Sequence, residues 1–174
     1  MASIQTAPIV ITGDPVLYQK AAPVTVFDAN LDRLAQTLMA TMLQAKGVGI
    51  AAPQIGESQR LFIVASRPNE RYPDAPLMEP VVMVNPVLLS GSSEWELGEE
   101  GCLSVPGKRL AIARHLWVDA QWQDLQGNTH SGRLTGFIAR IFQHELDHLD
   151  GITLLERITM ASQEQAAASG ETLL

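Results

Sequence analysis

The segment QHELDHLDG, residues 143–151, places His144 and His148 four positions apart with Glu145 between them. An α-helix has 3.6 residues per turn, so positions 144 and 148 face the same side and two imidazoles can bind one cation. Glu145 lies beside that face, where a carboxylate can take a proton from a water that a metal has made acidic. The spacing therefore predicts a hydrolytic metal site with its own general base.

The residues before these histidines indicate which way the helix faces. Phe137 and Ile141 precede His144 and His148 at helical spacing, so the metal-binding face continues an apolar stripe. The alternative is a solvated helix that carries two histidines by chance. The apolar stripe argues against it, and we expect the ligands to point into the protein.

The third metal ligand separates several kinds of hydrolase. The metzincin pattern HExxHxxGxxH matches through Gly151 but ends at Leu154 instead of a histidine, which excludes that class. Other zincins use a downstream glutamate, and Glu156, Glu164 and Glu171 are available. An endopeptidase with such a ligand therefore remains an alternative.

Cys102 is the stronger candidate for the third ligand. It is the single cysteine of the chain and stands in the glycine-rich segment GEEGCLSVPG. A lone cysteine is by default a small buried hydrophobic residue. Beside an HExxH helix, however, its thiolate would complete a Cys/His/His set with one position open for water. A closed structural site usually has four protein ligands, which argues against a non-catalytic metal domain.

Three segments together resemble a known family. The segments GVGIAAPQ (47–54), EGCLS (100–104) and QHELDHLDG are similar to the three signature segments of peptide deformylase, in the same order. The resemblance extends over roughly residues 9–158. The first segment also matches the dinucleotide fingerprint GxGxxG/A, but it follows a predicted helix instead of a strand, which excludes that reading.

The resemblance implies an activity and a metal. The substrate would be the N-formyl group of a nascent chain that begins with formylmethionine. A non-catalytic formyl-peptide binding module is an alternative, but it would have no use for Glu145. Metal-bound hydroxide would attack the formyl carbon, and Glu145 would act as general base and then general acid, releasing formate. The metal would be Fe²⁺, with Zn²⁺, Ni²⁺ or Co²⁺ able to replace it, held by Cys102, His144 and His148.

The resemblance also implies roles for residues around the metal. The oxyanion would be met by the backbone N–H of Leu103 and the side-chain amide of Gln54. Glu100 would support the ligands from behind, and Arg109 would orient the peptide backbone. The peptide would pair with the backbone at Gly49, and the residues predicted to line a pocket for methionine are Ile50, Phe137 and Ile141.

The amino-acid composition indicates the class of protein and its cellular location. The chain has 174 residues, 46% hydrophobic and 18% charged, which predicts one catalytic domain over residues 1–174. We expect a cytoplasmic protein, because we see no apolar run of ~20 residues and no leader pattern. A net charge of −7 argues against stable binding to nucleic acid or to anionic membranes.

The C-terminus departs from some relatives. The resemblance implies a transient ribosome contact through a basic C-terminal helix. Residues 161–174, however, contain Glu164 and Glu171 and no Lys or Arg, which argues against that route. We expect these residues to form a frayed, low-complexity tail.

The predicted fold class is α+β, a single compact domain of antiparallel strands packed around a central metal-binding helix, with an N-terminal helix. The N-terminal helix should cover residues 30–45, with Asn30 as its cap, and the metal-binding helix residues 135–149. His115 and His130 are predicted to be surface residues. The predicted strands are residues 61–65, 81–84, 86–90 and 116–122, and a proline-rich loop should cover residues 67–76.

Overall fold

The structure is a computed structural model that describes residues 5–158. The helices and strands whose two ends both lie in that range are α1 (Ala29–Gln44), β1 (Gly49–Ala51), β2 (Leu61–Val64), β3 (Val81–Gly91), β4 (Trp95–Cys102), β5 (Val105–His115), β6 (Trp117–Gln123), β7 (Thr129–Thr135) and α2 (Gly136–Leu149). Short 3₁₀ helices cover Pro15–Tyr18 and Ala52–Ile55. One sheet has the order β1-β2-β3-β6-β7, and β4 and β5 form a separate hairpin. Every pairing between these strands is antiparallel, which confirms the α+β prediction.

The central sheet lies between the two helices, and strand β2 shows why. Its residues Leu61 and Ile63 belong to the core cluster that contains α1 residues, while Phe62 and Val64 belong to the cluster that contains α2 residues. Successive side chains of a strand point to opposite faces. Both faces of β2 are buried, so the strand is apolar without alternation.

The N-cap of helix α1 is Asp28, two residues before the predicted cap. The side chain of Asp28 accepts hydrogen bonds from the backbone N–H groups of Asn30 and Leu31, each at 3.1 Å. The prediction that Asn30 caps the helix is therefore wrong, because Asp28 already satisfies the free donors of the first turn. The helix buries Leu38 and Met42 against the sheet.

The two strands predicted at residues 81–84 and 86–90 are one strand. Asn85 between them has a positive φ of 49°, and the register shifts between Val84 and Val87. This bulge accommodates Pro86, which has no N–H to donate to a neighbouring strand. The side chain of Asn85 bonds to both the N–H and the C=O of Val24, at 2.8 and 2.9 Å.

The β4–β5 hairpin was absent from the predicted elements. The sequence of its first strand is WELGEEGC. Glycines and acidic residues fill most of these positions, so the strand lacks the alternation of apolar and polar residues that predicts a strand. Cys102 ends this strand and pairs with Val105 across a register shift. The hairpin therefore places the cysteine at a tight turn facing α2.

Helix α2 packs its apolar residues on the sheet. Ala139, Phe142 and Leu149 are fully buried, and the rings of Phe142 and Phe62 meet edge to face at 5.4 Å between centroids. None of the helices in residues 5–158 combines the length and apolar character needed to span a bilayer. The tail predicted at residues 161–174 lies outside the described residues.

Candidate active site and metal centre

Three predicted ligands meet where the hairpin faces α2. The donor atoms of Cys102, His144 and His148 all lie within 4.8 Å of one another, and Cys102 Sγ is 3.3 Å from His148 Nε2. The helix supplies both imidazoles, and the end of β4 supplies the sulfur. One thiolate with two imidazoles is a donor set that suits divalent iron, zinc, cobalt or nickel.

The charges of these donors also fit a cation. Burial would raise the pKa of the Cys102 thiol, but the charge of His148 and hydrogen bonds to both histidines lower it well below its ordinary value. Burial would lower the pKa of His144, but its bonds to Cys102 and Glu100 raise it well above the ordinary value. These shifts favour a thiolate beside a protonated imidazole, a pair whose proton a metal ion can replace.

Glu100 supports His144 from behind. Its Oε1 lies 2.9 Å from His144 Nδ1, so the opposite ring nitrogen is directed towards the metal site. Arg114 donates two bonds to Glu100, at 2.9 and 3.0 Å, and Arg140 donates a third at 2.6 Å. Burial would raise the pKa of Glu100, but bonds from His144 and Arg114 hold it well below its usual range. Glu100 is thus an ionised carboxylate whose position is held by these hydrogen bonds.

Arg114 joins the hairpin to the metal-binding helix. It is 3% exposed and also donates to Asp147 Oδ2 at 2.6 Å, and Asp147 in turn accepts two bonds from Arg157. The sequence analysis missed Arg114, Arg140 and Asp147. Arg114 follows the buried Ile112 at strand spacing, a signal that was readable only once β5 was recognised as a strand.

Glu145 is a buried carboxylate beside the three donors. It is 3% exposed, and its Oε1 has no hydrogen-bond partner among the described residues. Burial raises the pKa of Glu145 to about 7. A buried acceptor without a partner is costly in a protein that binds nothing there. The residue therefore fits a site that a metal ion and its water complete.

Strand β1 approaches this carboxylate closely because Gly49 has no side chain. A Cβ at Gly49 would lie 2.8 Å from both Glu145 Oε2 and Ile141 Cγ2. Gln54 follows in the 3₁₀ helix, where its Oε1 accepts from the Ala51 N–H at 2.9 Å. Its Nε2 then lies 3.7 Å from Cys102 Sγ.

A cleft opens over these groups. The predicted site residues that line it are Gly49, Gln54, Glu100, Cys102, Leu103, Phe137, Ile141, His144 and Glu145. His148 lies beneath it at 1% exposure. The loop before β3, which carries Asn69, Arg71 and Tyr72, contributes lining residues that the sequence analysis did not identify.

Several predicted positions differ from the structure. Ile50, predicted to line the methionine pocket, packs instead in the core cluster with α1, because it points to the sheet face opposite Gly49. Arg109 lies in an adjoining groove, 3.5 Å from Glu99. His115, predicted at the surface, is half-buried, with Nδ1 2.7 Å from the Ser92 carbonyl oxygen. His130 is exposed, as predicted.

The alternative third ligand does not meet the metal site. Glu156 accepts a bond from the Thr153 N–H at 2.9 Å and is not part of the donor group among the described residues. Glu164 and Glu171 lie outside the described residues. Cys102 is therefore the third donor in the part of the chain that the structure describes.

A Cys/His/His donor set with a buried glutamate beside it defines a metal-dependent hydrolase. Residues 6–164 match the family model described as polypeptide deformylase. The chain therefore belongs to the polypeptide deformylase family, a family of enzymes.

Similar proteins agree with this assignment. Peptide deformylase 2 of Shewanella oneidensis is 56% identical over 164 residues, which are 94% of this chain and 91% of that protein. Peptide deformylase 2 of a Nostoc species is 52% identical, over 87% of this chain and 85% of that one. A crystal structure of class I type b peptide deformylase from Acinetobacter baumannii, with Met-Ala-Ser bound, superposes with a TM-score of 0.86 and 51% identity. It covers 87% of this chain and 98% of that one.

Proposed function

We propose that the protein hydrolyses the formyl amide at the N-terminus of formylmethionyl peptides, releasing formate and a free amino group. The observation that carries this proposal is Glu145, a buried carboxylate beside Cys102, His144 and His148, one of whose oxygens has no hydrogen-bond partner within residues 5–158. The Met-Ala-Ser bound to the Acinetobacter baumannii relative corresponds to a deformylated product and supports the same substrate class.

The donor set would hold the metal. A bound divalent ion supplies a Lewis acid and lowers the pKa of water from ~16 towards ~7. We propose Fe²⁺ as the physiological ion, with Zn²⁺, Ni²⁺ or Co²⁺ able to replace it, because one soft thiolate and two imidazoles accept all four. Glu100 keeps His144 in the orientation that binding requires.

Glu145 moves the proton. Its carboxylate takes a proton from the attacking water and passes it to the departing amine nitrogen. Burial favours the protonated form of this carboxyl group and raises its pKa in the metal-free protein, which helps Glu145 to hold a proton between the two steps. The Gln54 amide and the backbone N–H of Leu103 donate to the oxygen of the tetrahedral intermediate, and a single donor of this kind is typically worth ~3 kcal/mol.

The apolar part of the cleft would receive the methionine side chain. Phe137 and Ile141 line it from α2, and Tyr72 packs against Phe137 with ring centroids 4.6 Å apart. The backbone at Gly49 would pair with the extended peptide, which the missing side chain leaves accessible. Arg109 would contact the peptide farther along the adjoining groove.

We propose that the enzyme acts in the cytoplasm on nascent chains. One buried free cysteine fits a reducing compartment. A transient ribosome contact would bring substrate to the cleft. With a net charge of −7, we expect no stable binding to nucleic acid or to membranes.

Formate release from formyl-Met-Ala, measured beside cleavage of an internal peptide bond, tests the proposal. Deformylation without internal cleavage is expected, and the reverse would favour the endopeptidase alternative. Glu145→Ala should retain the metal and lose ~10²- to 10⁴-fold in kcat. Glu156→Ala is the matched control, because Glu156 bonds Thr153 instead of the metal site, and it should keep wild-type kcat. Near-normal turnover in Glu145→Ala would exclude Glu145 as the proton carrier.

A further inference from the structure

One arginine of helix α2 bonds to both strands of the β4–β5 hairpin. Arg140 Nη1 donates to the carbonyl oxygen of Ile112 in β5 at 2.9 Å, and its Nη2 donates to the carbonyl oxygen of Glu96 in β4 at 2.8 Å. Nη1 also donates to Glu100 Oε2 at 2.6 Å. A single side chain therefore joins the helix that carries both histidines to the hairpin that carries the cysteine.

The guanidinium of Arg140 fits against β4 because Gly98 has no side chain. Gly98 and Glu100 lie on the same face of the strand, since alternate residues of a strand share a face, and Gly98 pairs with Ile112 across the hairpin. A Cβ at Gly98 would lie 2.8 Å from Arg140 Cζ, 2.9 Å from Nη2 and 3.0 Å from Nε. The guanidinium could avoid such a Cβ only by moving away from the groups to which it donates.

The contact between Arg140 and Glu100 is largely shielded from water. The Arg140 side chain is 13% exposed, and that of Glu100 is 4% exposed. Hydrogen bonds between charged groups are stronger than neutral ones, and a buried charge that loses a partner is costly. Without the Arg140 guanidinium, Arg114 would be the remaining arginine that bonds to Glu100 among the described residues.

Two of the three metal ligands depend on the groups that Arg140 holds. Glu100 Oε1 lies 2.9 Å from His144 Nδ1, so a displaced carboxylate would let the imidazole turn. Cys102 is the last residue of β4, so a displaced hairpin would move the sulfur. Groups that orient metal ligands in this way typically contribute about 10- to 100-fold to metal affinity.

We infer that Arg140, lying over Gly98, is a positioning residue that fixes the hairpin relative to the metal-binding helix and thereby keeps the metal bound. It acts through Glu100 and through the backbone of the hairpin. The inference rests on the Cys/His/His metal centre and adds a determinant of metal retention to the proposed function. Arg114 and Gln143 also join the hairpin to α2, so loss of Arg140 should weaken metal binding without abolishing it.

The test measures how tightly the folded protein binds Co²⁺. Each protein competes with a chelator of known affinity, and the absorbance of the cobalt–thiolate bond reports the occupied fraction. Arg140→Leu should raise the Kd for Co²⁺ by about 10- to 100-fold. Gly98→Ala should raise it by a similar factor, because its Cβ would displace the guanidinium.

A double variant shows whether the two substitutions have one cause. Once Arg140 is replaced by leucine, a Cβ at position 98 has no guanidinium to displace. Adding Gly98→Ala to Arg140→Leu should therefore leave the Kd close to that of Arg140→Leu alone. Two independent effects would instead multiply.

Two control variants change the fold elsewhere. Arg60 joins the other end of α2 to the start of β2, donating to the Leu149 carbonyl oxygen at 2.9 Å and to Asp150 Oδ1 at 3.0 Å. Arg60→Leu should therefore lower Tm without raising the Kd for Co²⁺. Gly132→Ala adds a methyl group in β7 where no atom lies within 4 Å, and it should change neither quantity.

A wild-type Kd in either single variant at the hairpin would overturn the inference. Multiplied effects in the double variant would also overturn it, as would an equal rise of Kd in Arg60→Leu. The measurement uses no substrate. A protein that binds Co²⁺ as described but releases no formate from formyl-Met-Ala would therefore refute the proposed function alone.

Discussion

Replacing Gly49 with alanine should push strand β1 away from the helix that carries the metal-binding histidines. The new Cβ would lie 2.8 Å from Ile141 Cγ2 and from Glu145 Oε2, whereas carbon atoms pack best at about 3.5–4.0 Å. Strand and helix must therefore separate by roughly 1 Å. Overpacking of this kind costs about 1–3 kcal/mol, which corresponds to a fall in Tm of roughly 2–12 °C for a chain of this size.

The loss of activity in Gly49→Ala should be larger than its loss of stability alone would explain. Glu145 is one of the two groups displaced, and a shift of about 1 Å in a reacting group can cost ~10²-fold. We therefore expect kcat/KM for formyl-Met-Ala to fall by about that factor at temperatures where Gly49→Ala is fully folded. The measurements are formate release at equal metal occupancy and thermal unfolding by circular dichroism.

Gly132→Ala is the matched control. Gly132 lies in strand β7, and a Cβ there would meet no atom within 4 Å. This variant should keep the wild-type kcat/KM and change Tm little. Ile141→Ala removes one of the two contacts, so the stability cost of Gly49→Ala should be smaller in that background. If Gly49→Ala matched Gly132→Ala in both Tm and kcat/KM, the close approach of β1 to α2 would not constrain Glu145.

Three further predictions concern the metal site. Cys102→Ser should lose metal, because an alcohol is a poorer donor than a thiolate, and full occupancy by elemental analysis would exclude Cys102 as a ligand. In metal-free protein the pKa of Glu145 is raised from 4.5 to about 7, so its contribution to stability is fully present below pH 4.5 and is lost as pH rises through 7. Glu145→Gln should therefore be more stable than wild type by up to about 3 kcal/mol at pH 8 and by much less at pH 4.5, and a difference in urea unfolding that is independent of pH would contradict this. Fe²⁺ protein should lose formate-releasing activity in air faster than Co²⁺ or Ni²⁺ protein, because the iron and then the thiolate are oxidised. Equal rates of activity loss would show that the inactivation does not depend on iron.

Elements with strong local periodicity were predictable from the sequence. Helix α2 was expected at residues 135–149 and covers Gly136–Leu149, because its apolar residues repeat at the helical period and Gly151, with φ at 77°, favours an end there. The same period fixed His144 and His148 on one face. The hairpin that carries Cys102 was missed, because the stability of two strands depends on the partners they pair with and on what covers them.

The sequence by itself determined the chemistry of the donors, since the spacing of His144, Glu145 and His148 follows from backbone geometry within one helix. Only the tertiary structure decided what surrounds them. Glu100 and Arg114 come from different strands, and their mutual bonds depend on how the hairpin docks on α2. Strand β1 has only three residues, which is too short for a periodic signal. The sequence therefore does not show whether Gly49 or Ile50 faces the cleft. That orientation is set by packing against both helices, which local propensity does not contain.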